Sequence, residues 1–208
     1  MGKGTRCIIM AAAAMAGLAL AGGTSTAADR TTLTVVLHVN NLAGTESAEL
    51  ARAQAETQRI FDDTGVRLVW ADIGEEPGAV RCEGVSLSVS LLSPYLVQEA
   101  MSQKGSDNFL GSAVQSARFA LIYSDRIRTL AERKSVDESV LLGRVIAHEV
   151  GHLLLPGSGH SWDSIMTARI DTDPRPVRVR FTPRESAAIR ARVETKVGKA
   201  EEGATCGS

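Results

Sequence analysis

Two histidines and a glutamate stand at a spacing that suits hydrolytic metal chemistry. His148, Glu149 and His152 form the motif H-E-x-x-H. If the segment is helical, both histidines lie on one face and both imidazoles can reach one metal ion. Zinc accepts neutral imidazole nitrogen and lowers the pKa of a bound water to about 7, so a carboxylate beside it can take the proton. The motif therefore predicts a zinc centre with Glu149 as general base; the alternative is a pair of ordinary surface or core histidines.

A catalytic zinc site usually has three protein ligands, so a third residue is needed. His160 is the first candidate, because it follows His152 by only eight residues. Three of the four histidines of the chain therefore lie within thirteen residues. Residues 153–159, between His152 and His160, contain a proline and two glycines that can end a helix and turn the chain back. Asp163 and Glu185 are the alternatives. We favour His160, because Glu185 is also explained as a helix-capping residue.

The motif lies within the longest helical pattern of the chain. Ser135 and Glu138 have the spacing of a capping box, in which the two side chains satisfy free backbone N–H groups at a helix start. Pro156 follows the apolar run, and a proline disfavours helical conformation in the residue before it. The sequence therefore predicts a helix over 136–154 that carries both histidines.

The rest of the chain predicts a mixed α and β domain. Every second residue from Leu33 to Val39 is apolar, and Thr34, Val36 and His38 lie between them, a period of two that is typical of a strand. This strand, the helical pattern of 47–65 and a strand from Val66 are joined by short links, which favours a parallel pair. Thr182 and Glu185 form a second capping box at the start of a final helix. The predicted strands cover 33–39, 66–70, 85–91 and 118–123, the other helices 94–103 and 183–196, and a loop 105–117.

Residues 1–28 have the three-part pattern of a secretory signal peptide. Lys3 and Arg6 give a basic start, an apolar run of fifteen residues covers 7–21, and small residues at 25–28 offer cleavage sites. The apolar run is short for a transmembrane anchor, which needs about 20 residues and is the alternative. We therefore expect a protein that is secreted or periplasmic.

The composition excludes several classes of protein. Hydrophobic residues make up 44% of the chain, which excludes a wholly disordered protein. The net charge of -1 offers no basic footprint for nucleic acid.

After signal cleavage we expect a catalytic domain over 29–197 and a flexible tail over 198–208. This form should be a monomer with no stable membrane span.

Two of the three cysteines remain after signal cleavage, Cys82 and Cys206. An even pair in an exported protein favours a disulfide. The alternative is two unpaired thiols, because Cys206 lies in the predicted tail.

The segment 148–166, HEVGHLLLPGSGHSWDSIM, resembles the extended motif of the metzincin clan of zinc metallopeptidases. That motif is H-E-x-x-H-x-x-G-x-x-H, followed by a turn that carries a methionine. The chain is most similar to small bacterial secreted members whose motif runs HExGHLLL, then HS, then IM. The segments FLGSA at 109–113, ALIYSDRI at 120–127 and RFTPRESAAIR at 180–190 are similar too. The resemblance is strongest from 109 to 193.

This resemblance implies both a site and a fold. It implies that zinc is bound by His148, His152 and His160, that Glu149 is the general base, and that Met166 lies beneath the metal in the methionine turn. The implied fold is an α+β zincin domain. It has a twisted mixed β-sheet with a backing helix and an active-site helix, and a C-terminal helix after the methionine turn.

The sequence departs from the clan motif at three positions. Leu155 replaces the clan's glycine, and His160 comes two residues later than the clan's third histidine. The turn between helix and third histidine is therefore longer. Ala168 holds the place of a tyrosine ligand found in some members, so no such ligand is expected.

Arginines recur after the methionine, at Arg169, Arg175, Arg178 and Arg180. Clan members build a specificity wall in this region. We interpret the arginines as a solvated basic strand edge; the alternative is a preference for acidic substrates.

The combined hypothesis is a secreted zinc-dependent endopeptidase that hydrolyses peptide or protein substrates. Zinc activates the water and Glu149 acts as general base. One alternative is an exported zinc-binding module without catalysis, which would not need Glu149. Another is a deformylase-like amidohydrolase, which would need a cysteine ligand. A third is a gluzincin-type peptidase with Glu185 as third ligand.

Overall fold

A five-stranded mixed sheet forms the framework of the fold. The computed structural model describes residues 33–72, 84–101, 109–155, 157, 159–173 and 179–203. The strands are β1 (Leu33–Asn41), β2 (Val66–Asp72), β3 (Gly84–Leu92), β4 (Gly111–Val114) and β5 (Phe119–Tyr123). The helices are α1 (Ser47–Asp62), α2 (Pro94–Met101), α3 (Ser124–Lys134), α4 (Glu138–Leu154) and α5 (Pro183–Gly203). The predicted mixture of α and β structure is confirmed.

The strand order is β2-β1-β3-β5-β4. All neighbouring strands are parallel except β4, which lies at one edge and is antiparallel to β5. Leu33 of β1 lies opposite Val66 of β2, so the parallel pair predicted from the strand-helix-strand pattern is confirmed. Val35, Leu37 and Val39 of β1 are buried in the main core, as their alternation predicts, and Val36 on the opposite face is buried too.

Helix α4 packs closely against α1 at a glycine. A Cβ atom at Gly143 would lie 2.6 Å from the carbonyl oxygen of Ala53, so a larger residue would force the helices apart. The Thr57 hydroxyl donates a hydrogen bond to the Gly143 carbonyl at 3.1 Å and is fully buried. This contact holds α4 in one position above the sheet.

The start of α4 differs from the prediction. Its N-cap is Asp137, whose carboxylate accepts hydrogen bonds from the backbone N–H groups of Ser139 at 2.8 Å and Val140 at 3.3 Å. Ser135 instead ends α3 with a φ of 53°, in the left-handed region. The Ser135–Glu138 capping box is therefore wrong, because the serine belongs to the end of the preceding helix. The predicted end of α4 at Leu154 is confirmed.

Two elements were not expected from the sequence. Strand β4 lies in the segment that was predicted as a loop. It is only four residues long and pairs on one side, so its sequence pattern is too short to indicate a strand. Helix α3 buries just three of its eleven residues, so its apolar pattern is weak. The final helix begins at Pro183 as predicted and continues to Gly203, seven residues beyond the predicted end.

Residues 1–28, Cys82 and Cys206 lie outside the described residues. The signal peptide and the disulfide therefore stay predictions. Among the helices of the described part, none is long and apolar enough to cross a membrane.

Candidate active site

Three histidine side chains converge beside the C-terminal half of α4. One ring nitrogen from each of His148, His152 and His160 lies within 4.8 Å of the others. The facing Nε2 atoms of His148 and His152 are 3.0 Å apart. The His160 ring stacks on His148, with 5.5 Å between centroids and 22° between planes. The structure thus brings together the three residues proposed as ligands, despite the longer turn before His160.

The donor set fits a zinc ion. Two nitrogens bound to one tetrahedral zinc at about 2.0–2.1 Å would lie about 3.3 Å apart, close to the separation of the two Nε2 atoms. Burial, followed by the charges of the other two imidazoles, lowers the pKa of His152 to about 4. Burial also lowers the pKa of His148. Both groups are therefore neutral at pH 7, which is the form that binds metal.

A backbone carbonyl orients His148. Its Nδ1 atom lies 2.8 Å from the carbonyl oxygen of Ile165. Because a carbonyl oxygen only accepts, the neutral ring carries its proton on Nδ1 and leaves the Nε2 lone pair for the cluster. The Ile165 N–H in turn donates to the Arg180 carbonyl at 2.9 Å. This peptide segment is therefore anchored on both sides.

Met166 packs directly against α4 at Gly151, the residue before His152. A Cβ atom at Gly151 would be 2.5 Å from the sulfur of Met166 and 3.0 Å from Phe181. Met166 is fully buried. Gly151 thus permits the methionine to pack onto the helix turn between His148 and His152.

The segment from His160 to Met166 is tied to the start of α5. The Ser164 hydroxyl donates to Glu185 Oε1 at 3.0 Å and accepts from the Met166 N–H at 3.0 Å. Glu185 Oε2 accepts from the Thr182 N–H at 2.8 Å, and Thr182 Oγ1 accepts from the Glu185 N–H at 3.2 Å. The second capping box is confirmed. Both carboxylate oxygens of Glu185 have partners outside the histidine cluster.

The third-ligand alternatives lie apart from the cluster. Neither Asp163 nor Glu185 belongs to the group of side chains that could share a metal ion within the described residues. Asp163 is exposed. The geometry therefore favours His160 as the third ligand.

Glu149 is buried beside the cluster, opposite the edge strand. Burial raises the pKa of its carboxyl to about 8. A Cβ atom at Gly111 of β4 would lie 2.7 Å from Glu149 Oε1, so only glycine leaves room for this carboxylate. A carboxyl group with a pKa near neutrality can both accept and return a proton.

Gln115 supports the end of α4, a role that the sequence does not predict. Its side-chain amide donates to the carbonyls of His152 at 3.3 Å and Leu155 at 2.8 Å. The last four carbonyls of a helix have no partner within the helix, so this contact satisfies two of them. No local pattern indicates it, because Gln115 and Leu155 are forty residues apart.

A buried arginine connects α4 with the segment after the methionine, a role that the sequence does not predict either. Arg144 donates from Nη1 to the carbonyl of Asp171 at 2.6 Å. Its Nε lies 3.5 Å from Glu56 Oε1 of α1. Removal of the Glu56 carboxylate would leave the buried Arg144 guanidinium without this counter-charge, whereas Glu56 also pairs with Arg59 at 2.6 Å.

The histidines and Glu149 face a cavity of about 1060 Å³. Its walls come from β4, from α3 and from the segment 167–172. Arg169 is exposed and lines the cavity, whereas Arg180 is exposed but does not line it. Arg175 and Arg178 lie outside the described residues. Ala168 also lines the cavity and offers no side-chain ligand.

No family model matches the sequence, and no curated protein matches it. Among solved structures, one similar chain is a zinc-dependent peptidase from Methanocorpusculum labreanum, with 16% identity, a TM-score of 0.46 and coverage of 76% of this chain and 99% of that chain. The archaemetzincin from Methanopyrus kandleri has 15% identity, a TM-score of 0.47 and coverage of 80% and 99%. The archaemetzincin from Archaeoglobus fulgidus, complexed with malonate, has 16% identity, a TM-score of 0.40 and coverage of 74% and 99%. At these values the assignment of the site depends on its own geometry.

Proposed function

We propose that this protein is a zinc-dependent endopeptidase. The observation that carries the proposal is the convergence of three imidazoles beside a buried glutamate, Glu149, on the wall of one cavity. Metal binding alone does not require a buried carboxyl group next to the ligands. Hydrolysis makes use of such a group, because a proton must leave the attacking water and reach the leaving group.

His148, His152 and His160 would hold the zinc ion through one ring nitrogen each. Zinc bound there would supply Lewis acidity toward water and the scissile carbonyl. Glu149 takes a proton from the attacking water and then delivers it to the nitrogen of the leaving amine.

Strand β4 would position the peptide. It pairs with β5 on one side only, and no strand of the described residues covers its other side. An extended peptide can add to such an edge through main-chain hydrogen bonds. Because Gly111 of β4 is in contact range of Glu149, a peptide on this edge passes close to the proposed general base.

We also propose that the protein acts outside the cytoplasm, as residues 1–28 indicate. Expression with the full sequence followed by mass spectrometry of the exported protein tests this. A mature N-terminus near residue 29 is expected. An intact N-terminus in the cell pellet would contradict export without affecting the proposed chemistry.

A cleavage assay on a complex peptide mixture tests the enzymatic function. We expect cleavage by the zinc-loaded protein, loss of cleavage with a chelator, and recovery when zinc is restored. The control is Glu149→Gln, which keeps the shape of the side chain but not its basicity. It should bind zinc like the wild type and cleave at least about a hundredfold more slowly.

Two results would contradict this proposal. Cleavage by Glu149→Gln at the wild-type rate would remove Glu149 from the mechanism. A wild-type protein that binds one zinc ion but cleaves no peptide would instead be a non-catalytic zinc-binding module.

A further inference from the structure

The cavity beside Glu149 has a positively charged wall. Arg126, Arg133, Lys134 and Arg169 all line it. Among the described lining residues, Glu149 is the only carboxylate. A cleft lined by one sign of charge concentrates ligands of the opposite sign. The composition of the whole chain gives no hint of this, because its net charge is only -1.

Three of these cations can reach a ligand, although Arg133 uses its Nε in a hydrogen bond to the Thr129 carbonyl at 3.3 Å. Arg133, Lys134 and Arg169 are exposed and form no ion pair with the described part of the chain. Arg126 is held in place instead. It donates to the Phe109 carbonyl at 3.0 Å, and its guanidinium lies 5.3 Å from the centre of the Tyr123 ring.

Helix electrostatics explain only part of this wall. Arg133 and Lys134 lie in the last turn of α3, where cations are favourable beside the helix C-terminus. Arg169 comes from a separate segment that follows Met166. Cations from two unrelated segments therefore face one cavity, which the dipole of α3 does not require.

An apolar surface lies next to the charged wall. Leu130, Val145 and Ile170 line the same cavity. Val145 is one helical turn before Glu149 and is buried on the same helix, so this surface adjoins the proposed general base. The combination suits a group with an aliphatic stem and a carboxylate end.

We propose that the cleft selects peptides that carry a carboxylate close to the scissile bond. This inference rests on the proposed peptidase function and names its substrate class. The carboxylate could belong to an acidic side chain or to a free C-terminus, since both present the same anionic group to Arg133, Lys134 and Arg169. Hydrogen bonds between a charged donor and a carboxylate are stronger than neutral ones, so a large preference is expected.

The test begins with the wild-type protein and a peptide library made from a proteome digest. Mass spectrometry of the products locates each cleaved bond and the residues around it. One well-cleaved sequence is then made with glutamate or glutamine at the enriched position, and with a free or amidated C-terminus. These four peptides distinguish an acidic side chain from a terminal carboxylate.

We expect at least about a tenfold higher kcat/KM for one carboxylate-bearing peptide than for its neutral partner. This preference should shrink or reverse in the double variant Arg133→Glu, Lys134→Glu and in Arg169→Glu. The matched control is Arg192→Glu, an exposed position on α5 that does not line the cavity. It should keep the full preference. Arg133→Ala with Lys134→Ala serves if the charge reversals fail to fold, and zinc content and circular dichroism report on folding.

Three outcomes separate this inference from the proposed function. Equal kcat/KM for acidic and neutral peptides, or a preference unchanged in both sets of variants, would overturn the inference and leave the peptidase intact. If the wild type cleaves no peptide, the proposed function fails. In that case, fluorescence anisotropy with labelled acidic and neutral peptides measures whether the cleft binds a carboxylate-bearing peptide more tightly, independently of cleavage. Tighter binding of the acidic peptide, lost on charge reversal, would support this charge recognition, and equal binding would overturn it.

Discussion

A Cβ atom at Gly111 would lie 2.7 Å from Oε1 of Glu149, which is closer than non-bonded atoms approach. The edge strand and the proposed general base thus share one small space, and the absence of a side chain on the strand keeps the carboxylate in position. The histidines do not take part in this contact. Acid-base chemistry and metal binding can therefore be perturbed separately.

Gly111→Ala should impair cleavage while sparing the metal. The added methyl group displaces the Glu149 carboxylate, and a shift of about 1 Å at a catalytic group can cost about a hundredfold in rate. We expect kcat to fall by about 10- to 100-fold with one zinc ion still bound. Peptide kinetics together with elemental analysis of the purified variant measure both quantities. Wild-type kcat in a correctly folded Gly111→Ala protein would show that this contact does not position Glu149.

The pairing of the two motif histidines could be predicted from the sequence because its physics is local. The spacing of His148 and His152 determines that they share a helical face, and Pro156 determines where that helix ends. The Pro-Gly turn also indicated that His160 could return to the same place. The structure brings these histidines together as a group that could hold a metal ion.

The supporting contacts could not be predicted, because they join distant parts of the chain. Gln115 contacts the end of α4 from forty residues away, and Arg144 contacts the carbonyl of Asp171 across twenty-seven. The Ser135–Glu138 capping box failed for a different reason. The local pattern was present, but Asp137 offered a competing cap and Ser135 was already needed to end α3.

Substitution of Gln115 should loosen the end of α4. Gln115→Ala removes two hydrogen bonds to helix carbonyls, and a typical hydrogen bond contributes about 1 kcal/mol net. We expect the free energy of unfolding in urea to fall by about that amount. Gln115→Glu should be worse than Gln115→Ala, because a carboxylate cannot donate and is repelled by the helix C-terminus. A Gln115→Glu protein as stable as the wild type would contradict this role.

The cap of α4 should make stability depend on acid pH. Hydrogen bonds, first from the Ser139 side chain, lower the pKa of Asp137 below its usual value. A carboxyl group whose pKa is depressed by folding stabilises the protein above its unfolded pKa, and this contribution is lost as the pH falls through its folded pKa. We therefore expect Asp137→Ala to lower the free energy of unfolding by about 1 kcal/mol at pH 7.

Asp137→Asn is the matched control, because asparagine caps a helix without titrating. Urea denaturation from pH 7 down to pH 3 compares the two proteins. The advantage of the wild type over Asp137→Asn should decrease below about pH 4, near the unfolded pKa of aspartate. A constant difference across this range would show that the charge of Asp137 does not contribute.

The identity of the third ligand can be decided by comparing His160 with Glu185. His160 shares the cluster with His148 and His152, whereas both carboxylate oxygens of Glu185 accept hydrogen bonds from Ser164 and Thr182. His160→Ala should therefore weaken zinc binding by at least about a hundredfold, because it removes a ligand. Glu185→Ala should keep zinc and lose about 0.5–2 kcal/mol of stability, because it removes a helix cap and the link to Ser164.

Titration with a competing chelator measures the zinc affinity, and thermal unfolding of the apo-proteins measures the stability. If Glu185→Ala loses its zinc while His160→Ala retains it, the site instead uses a distant glutamate, and the loop that carries His160 serves another purpose.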